Sequence, residues 1–528
     1  MPFRALVIVV VLAATALPAH AAAWRVRRDW DRAEVDRYAR WVGHIHERKV
    51  AGSDAEQRAT LPQVLGDARM NLLLTPGFAP DSNDPRALPP LAEWVMSKAD
   101  ACGTLPALLL VYYCAVRGLP ALCARVRGSG EDIRYGHDNH PVAALDPLAY
   151  PDLTAFVRAV CFGEPNYTTG NWRTAPDLER TDTVPVAVSR ASTIPGLTLA
   201  YNPDGHALAV AGVEPDGRVH FLDSHPDGSI TAGQSLAAVQ SVLGELGPDR
   251  RQWFAGWRML RLAATVRDRA GRVTGIRWYT NQEMRAYGFS DEQYRDGLAI
   301  RAGRPVTIAG RPERVASFPE YARLKLRTTA AVDPADAVRE WADELAAELD
   351  ERATLVQGGW QDVRAHGPIP LPSNIYRAHG RWEDWASPSS DCDRRAAYFL
   401  GVDRIEKLVT VAPAARRVAL ARWLLQLKRR AFAGRKIEYR SSTGRGVART
   451  LADVERRLWL LSFDPNHPPE LRWGDAPDHG PAPDSYRREQ RLRYRLSRKD
   501  VATRLDDPTD PGRPPRELFD AVLGRYTR

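Results

Sequence analysis

Past its first two dozen residues, the 528-residue sequence has no apolar run long enough to cross a bilayer, which takes about 20 residues, so nothing downstream reads as a membrane span. It has no internal repeat. It also has no block of one charge sign: 74 Lys and Arg stand against 65 Asp and Glu, a net charge of +9 with the signs interleaved. That pattern describes a solvated, arginine-rich surface rather than a nucleic-acid stripe, and leaves only weak attraction to anionic cell-envelope polymers. No cofactor box or metal-ligand spacing is present. "GHDNHP" (His137, Asp138, Asn139, His140) has no second cluster to complete a zinc or calcium site, and His44 and His46, two apart on a helix, point to different faces. Cysteine is scarce and odd in number: Cys102, Cys114, Cys123, Cys161 and Cys392.

What is present starts with "MPFRALVIVVVLAATALPAHAAAW", a basic residue, a short apolar stretch and an Ala19-His20-Ala21 step. This describes a secretory signal peptide cut after Ala21, with an uncleaved anchor as the alternative. An exported chain, periplasmic or extracellular, is the expectation. In that setting two disulfides and one free thiol would fit five cysteines, without saying which is free. A hydrophobic share of 44% with 15 Trp indicates sizeable cores, and the length suits two or more domains.

Apolar residues at helical spacing predict a helix over about 29–50 (Val35, Tyr38, Trp41, Val42, Ile45), which could act as a prosegment, and another near Leu91 to Lys98. "LPALLLVYYCAVRG" reads as a buried helix stopped by Gly118 and Pro120. Strands and loops follow, then two hairpins, "GHALAVAGV-EPDG-RVHFLDSH" and "WRMLRLAATV…RVTGIRWYT", and a capping box at Ser290. Past about 330 the patterning is helical: "DPADAVREWADELAAELDERA", "APAARRVALARWLLQLKRRAF" and "LADVERRLWLLSF". The fold class expected is α+β. A mixed domain spans 24–325, a mostly helical region 326–463, and a polar, basic tail 464–528.

Cys102 falls at or one turn before the start of the buried helix, where unpaired N–H groups and the positive dipole end favour a thiolate and could hold an oxyanion. Half of a disulfide, or a core cysteine, are its bland readings. Cys114, mid-helix, reads as packed and inert. A thiol nucleophile needs a base and a group that orients the base. With a four-residue loop, Glu214 to Gly217, Val213 pairs with Arg218 and Leu208 with Asp223, so His206 and Asp223 become diagonal neighbours on one face. His225 then faces His206 as a substitute base, and His220 lies on the opposite face. Cys392, in "SSDCDRR", stands at another helix start but has no hairpin after it.

The stretches "DACGTLPALLLVYYCAVRGLPALCARV" and "IPGLTLAYNPDGHALAVAGVEPDGRVHFLDSHPDG" resemble the Cys-bearing helix and the His/Asp hairpin of transglutaminase-like and other papain-like proteins, including the NlpC/P60 and CHAP hydrolases. The resemblance covers roughly residues 95–235. It implies a papain-like core with Cys102 as nucleophile, His206 as general base and Asp223 as the residue that orients the imidazole. The roughly hundred residues between Cys102 and His206 imply an insertion of about Arg127 to Val184, and no Gln or Trp stands just before Cys102 as an oxyanion donor.

These residues lead to an expected function: an exported cysteine hydrolase that cuts an amide of a cell-wall peptide or envelope protein through a thioester. The triad spacing fits amide transfer to an amine equally well. An inactive fold that binds or scaffolds in the envelope is the alternative of another class.

Overall fold

The computed structural model describes residues 22–57, 59–83, 85, 102–128, 133, 138–201, 206–224, 228–235, 254–315, 318–328, 333–370, 381–386, 398, 401–402, 404–458, 461–462, 464–475 and 516–527. The expected signal peptide, the helix at 91–98, Cys392, His137 and His225 lie outside these residues. No helix among the described residues is long and apolar enough to cross a membrane.

The fold is α+β with antiparallel sheets. Its main helices include α1 (Arg32–Ala51), α2 (Leu105–Arg117), α3 (Leu153–Phe162), α4 (Glu292–Arg301), α5 (Phe318–Leu326), α6 (Pro334–His366), α7 (Ala414–Gly434), α8 (Leu451–Glu455) and α9 (Arg516–Gly524). The principal sheet has six strands in the order β3 (Thr183–Pro185), β8 (Gly256–Leu260), β4 (Thr198–Tyr201), β5 (His206–Val213), β6 (Val219–Ser224), β7 (Ile230–Ser235). Two-stranded ribbons pair β1 (Cys123–Arg127) with β2 (His140–Leu145), β9 (Ala263–Arg267) with β10 (Val273–Trp278), β11 (Val306–Ile308) with β12 (Arg311–Glu313), and β13 (Lys436–Arg440) with β14 (Gly446–Thr450).

Two cores form, one within residues 23–326 and one within 338–523. The first is built on α1 and α2. All thirteen residues of α2 are buried, and Gly118 ends the helix in the left-handed conformation at φ 66°, which glycine adopts without a Cβ clash. Asp31 caps α1 by accepting from Glu34 N at 2.8 Å. The predicted stripe Val35, Tyr38, Trp41, Val42 and Ile45 is wholly buried, against α2 and the sheet. That burial makes α1 part of the core. Glu34 and Arg117 fasten the two helices inside it: Arg117 Nε donates to Glu34 Oε2 at 3.0 Å, and Tyr113 Oη donates to the same oxygen at 2.9 Å. Burial would raise the Glu34 pKa, but Arg117, Tyr113 and Arg37 outweigh it and hold the carboxyl at about 2.

On its other side, α1 meets the hairpin of β5 and β6. His46 packs against His220 with ring centroids 4.7 Å apart and its Nε2 lies 3.3 Å from Gly233 O, while His220 Nε2 lies 2.8 Å from Glu214 Oε1. Burial, then His220, pushes His46 down to about 4, against the pull of the Gly233 carbonyl and Glu214. Lys49 is fully buried and donates to the carbonyls of Glu56 at 3.2 Å and Ala59 at 3.1 Å, which pins the chain as it leaves α1.

Several elements depart from the sequence reading. The stretch expected as strands and loops after Gly118 contains α3, capped by Asp152 accepting from Ala155 N at 2.7 Å. The box at Ser290 does not close on itself. Ser290 Oγ accepts from Glu292 N at 3.1 Å, but Gln293 turns to the sheet, where Oε1 accepts from Trp257 N at 2.9 Å and Nε2 donates to Val186 O at 3.0 Å. Among its described residues, "LADVERRLWLLSF" is helical only over α8, and β13 and β14 were not expected. The polar tail is not all tail: Trp473 and the α9 residues Leu518, Phe519, Val522 and Leu523 are buried in the second core.

The two cores meet at a charged junction. Asp216, in the turn between β5 and β6, accepts from Arg218 Nε at 3.1 Å and Arg323 Nη2 at 3.0 Å. Both arginines also face Glu340 of α6, at 3.8 and 3.5 Å, and Arg404 pairs with the same carboxylate.

Candidate active site

Cys102 is half-buried and lies two residues before Thr104, the N-cap position of α2, so its place is set by the turn that enters the helix. Three contacts fix that turn. Trp172 Nε1 donates to Gly103 O at 2.8 Å, Thr104 Oγ1 donates to Tyr167 O at 3.3 Å, and Leu108 N donates to Thr104 O at 2.9 Å. Gly103 presses against the 3₁₀ turn Thr169–Arg173 so closely that a Cβ there would stand 2.4 Å from Thr169 N, so no larger residue fits without movement. Thr168 and Asn171 form a capping box that holds this 3₁₀ turn. It sits in the expected insertion, and the signals "NYTTGNWR" and Gly103 were present in the sequence without marking it as a support for Cys102.

The histidine and the acid come from the hairpin. Val213 pairs with Val219, not with Arg218, because the loop has five residues, Glu214 to Arg218, not four. Gly217 takes φ 92° in it, and Asp216 Oδ1 accepts from Arg218 N at 3.0 Å, which turns Arg218 out of the ladder. A bulge between Val210 and Gly212 then absorbs one residue, and pairing resumes with Val210 opposite Phe221 and Ala209 opposite Leu222. His206 and Asp223 consequently share a face, and His206 Nε2 lies 3.1 Å from Asp223 Oδ2.

Cys102 is near enough to His206 to favour its protonated ring as well, through charge and side-chain hydrogen bonding. With Nε2 engaged by Asp223, Nδ1 is the ring nitrogen left for the sulfur. Burial disfavours the charged ring, but Asp223, Cys102 and their hydrogen bonds together outweigh it and hold His206 well above the ordinary imidazole range. The ring remains 28% exposed and the Asp223 side chain 16%, so solvent reaches the histidine more easily than the acid.

The other candidates have structural partners. Cys114 Sγ contacts Pro120 O at 3.9 Å, and burial raises its pKa well above the ordinary thiol value. Among the described residues, Cys102, Cys114, Cys123 and Cys161 form no disulfide with one another. His220 is occupied by Glu214 and His46. Asn139 Nδ2 donates to Ile133 O at 2.8 Å and Gly170 O at 2.9 Å, and His140 Nδ1 is 3.0 Å from Asp138 O, so both serve the loop around them.

No protein-family model, curated protein or solved structure matches the chain.

Proposed function

We propose that this chain is a thiol-dependent amide hydrolase or acyltransferase of papain-like type, exported to the periplasm or beyond, and that it acts on a peptide or envelope-protein amide. The observation that carries this reading is the interposition of His206 between Cys102 and Asp223. A cysteine, a base and an orienting carboxylate in that sequence of contacts is the minimal set for nucleophilic acyl transfer.

In the proposed cycle, the Cys102 thiolate attacks the amide carbonyl while its proton rests on His206 Nδ1. His206 then gives that proton to the leaving amine, and a thioester on Cys102 remains. Water, deprotonated by the same imidazole, releases the acid, or an amine takes the acyl group instead. Asp223 keeps Nε2 engaged, so the ring presents Nδ1 to the sulfur and its positive form is favoured in the first half of the cycle. In this reading the positive dipole end of α2, which begins three residues after Cys102, stabilises the oxyanion.

Alkylation of the native protein with iodoacetamide tests the triad. Cys102 is expected to label much faster than a free thiol at neutral pH, and His206→Ala to abolish that advantage. Labelling at the free-thiol rate would favour a binding or scaffold role. Incubation with a glutamine peptide and a primary amine, read by mass, separates transfer from hydrolysis.

A further inference from the structure

We propose that α7 carries a docking surface for anionic phospholipid, separate from the Cys102 site. The helix "AARRVALARWLLQLKRRAFAG" contains six basic residues and no Asp or Glu. Its inner side, Ala421, Leu424, Lys428, Ala431 and Phe432, is buried in the second core. Lys428 is neutralised there by Glu455, and Arg429 is offset at the surface by Asp520 at 3.4 Å. Arg417 and Arg422 hydrogen-bond only to backbone carbonyls, and Arg416 and Arg430 make no ion pair among the described residues. Four positive charges are thus left on one helix.

Charge alone would fit any polyanion, but this face is also apolar. Eight large hydrophobic side chains are exposed among the described residues, and three of them, Val411 (68% exposed), Val418 (38%) and Trp423 (40%), lie within 411–423. Trp423 is the one exposed tryptophan among the described residues, while the other tryptophans there are buried or half-buried. At 100° per residue, Val418, Arg422, Trp423 and Arg430 fall on the half of the helix away from Leu424, and the exposed Arg416 sits at its flank. Small residues, Ala415 and Ala419, lie between them and let the helix axis approach a flat surface. Arginines that reach phosphates beside a tryptophan and a valine seated at headgroup depth make an interfacial helix. The apolar side chains gain from a layer with a hydrocarbon interior, and gain nothing from a soluble polyanion.

The test is flotation of the full chain with vesicles of phosphatidylcholine alone or mixed with phosphatidylglycerol, at low and high salt. Binding is expected only with the anionic lipid and should weaken with salt. Arg416→Glu with Arg430→Glu should weaken it about thirtyfold or more, since each basic residue near such a surface contributes on the order of a few-fold to tenfold. Trp423 quenching by brominated lipid should disappear in Trp423→Phe. Both arginines are exposed and make no ion pair among the described residues, so thermal melting should not change, and Arg416→Gln with Arg430→Gln provides a milder pair. No binding to anionic vesicles, or binding indifferent to the double reversal, overturns the proposal. Equal affinity for soluble polyphosphate, with no effect of Trp423→Ala on vesicle binding, also overturns it, in favour of a polyanion site.

Discussion

His206 and Asp223 meet across a hairpin that is one residue out of step at its turn and back in step at its open end, the difference taken up by a bulge at Ala211. Parity decides which face a strand residue occupies, so this bulge keeps the imidazole and the carboxylate on the same side.

Asp223→Asn should leave the hairpin intact and remove the negative charge that raises the His206 pKa. A raised folded value means that the protonated ring is favoured up to that value and lost as pH rises through it. The alkaline limb of Cys102 alkylation should therefore move to lower pH in the variant, and turnover should fall by about a hundredfold or more. A pH profile that matches the wild type would show that Asp223 has no part in the reaction.

Gly103→Ala places a methyl against Thr169 N, a backbone atom that cannot swing aside. The entry turn must shift, and a displacement of about 1 Å is enough to cost on the order of a hundredfold in rate. The expected outcome is slow Cys102 labelling in a protein whose circular dichroism is unchanged. Normal labelling would mean that the turn accommodates the methyl.

The His46 and His220 pair should make the fold acid-sensitive. The folded value of His46 is depressed to about 4 from an ordinary 6.5, so its contribution is full above about 6.5 and is lost as pH falls toward 4. The shift corresponds to about 3 kcal/mol. Urea melts at intervals across that window should show the decline, and His46→Gln should flatten it. An equally steep decline in the variant would assign the effect to other groups.

Glu34→Gln leaves Arg117 buried with half of its partner. Removing one member of a buried pair costs about 3 to 5 kcal/mol, and the melting temperature should drop without a change in the Cys102 alkylation rate relative to folded protein. A drop within experimental scatter would show that Tyr113 and the backbone satisfy Arg117 unaided.

Much of the site could be read from the residues themselves. The Gly118 stop and the apolar run defined α2, which put Cys102 at a helix start, and alternation along β5 and β6 put His206 and Asp223 on one face. The bulge was not legible, because nothing in "ALAVAGV" distinguishes a residue that pairs from one that does not. The supporting 3₁₀ turn was missed since its role depends on contact with Gly103, 66 residues earlier than Thr169. In the last stretch, Pro, Asp and Arg dominate the composition, and the local helical pattern of the final residues was legible, but only the second core gives Leu518, Phe519, Val522 and Leu523 a reason to be buried.

The junction at Asp216 has a bearing on where this chain can be cut. The strand pair that holds His206 and Asp223 at one end is held at the other by Arg218 and Arg323, and these lean on Glu340, which belongs to the helical half. A fragment ending after Leu326 would retain every residue of the first hydrophobic core together with Cys102, His206 and Asp223. It would also leave two guanidinium groups facing each other with Asp216 as their sole shared counterion from that junction. The first hydrophobic core therefore ends before α6, while the charge network that holds the turn of the hairpin runs on into it.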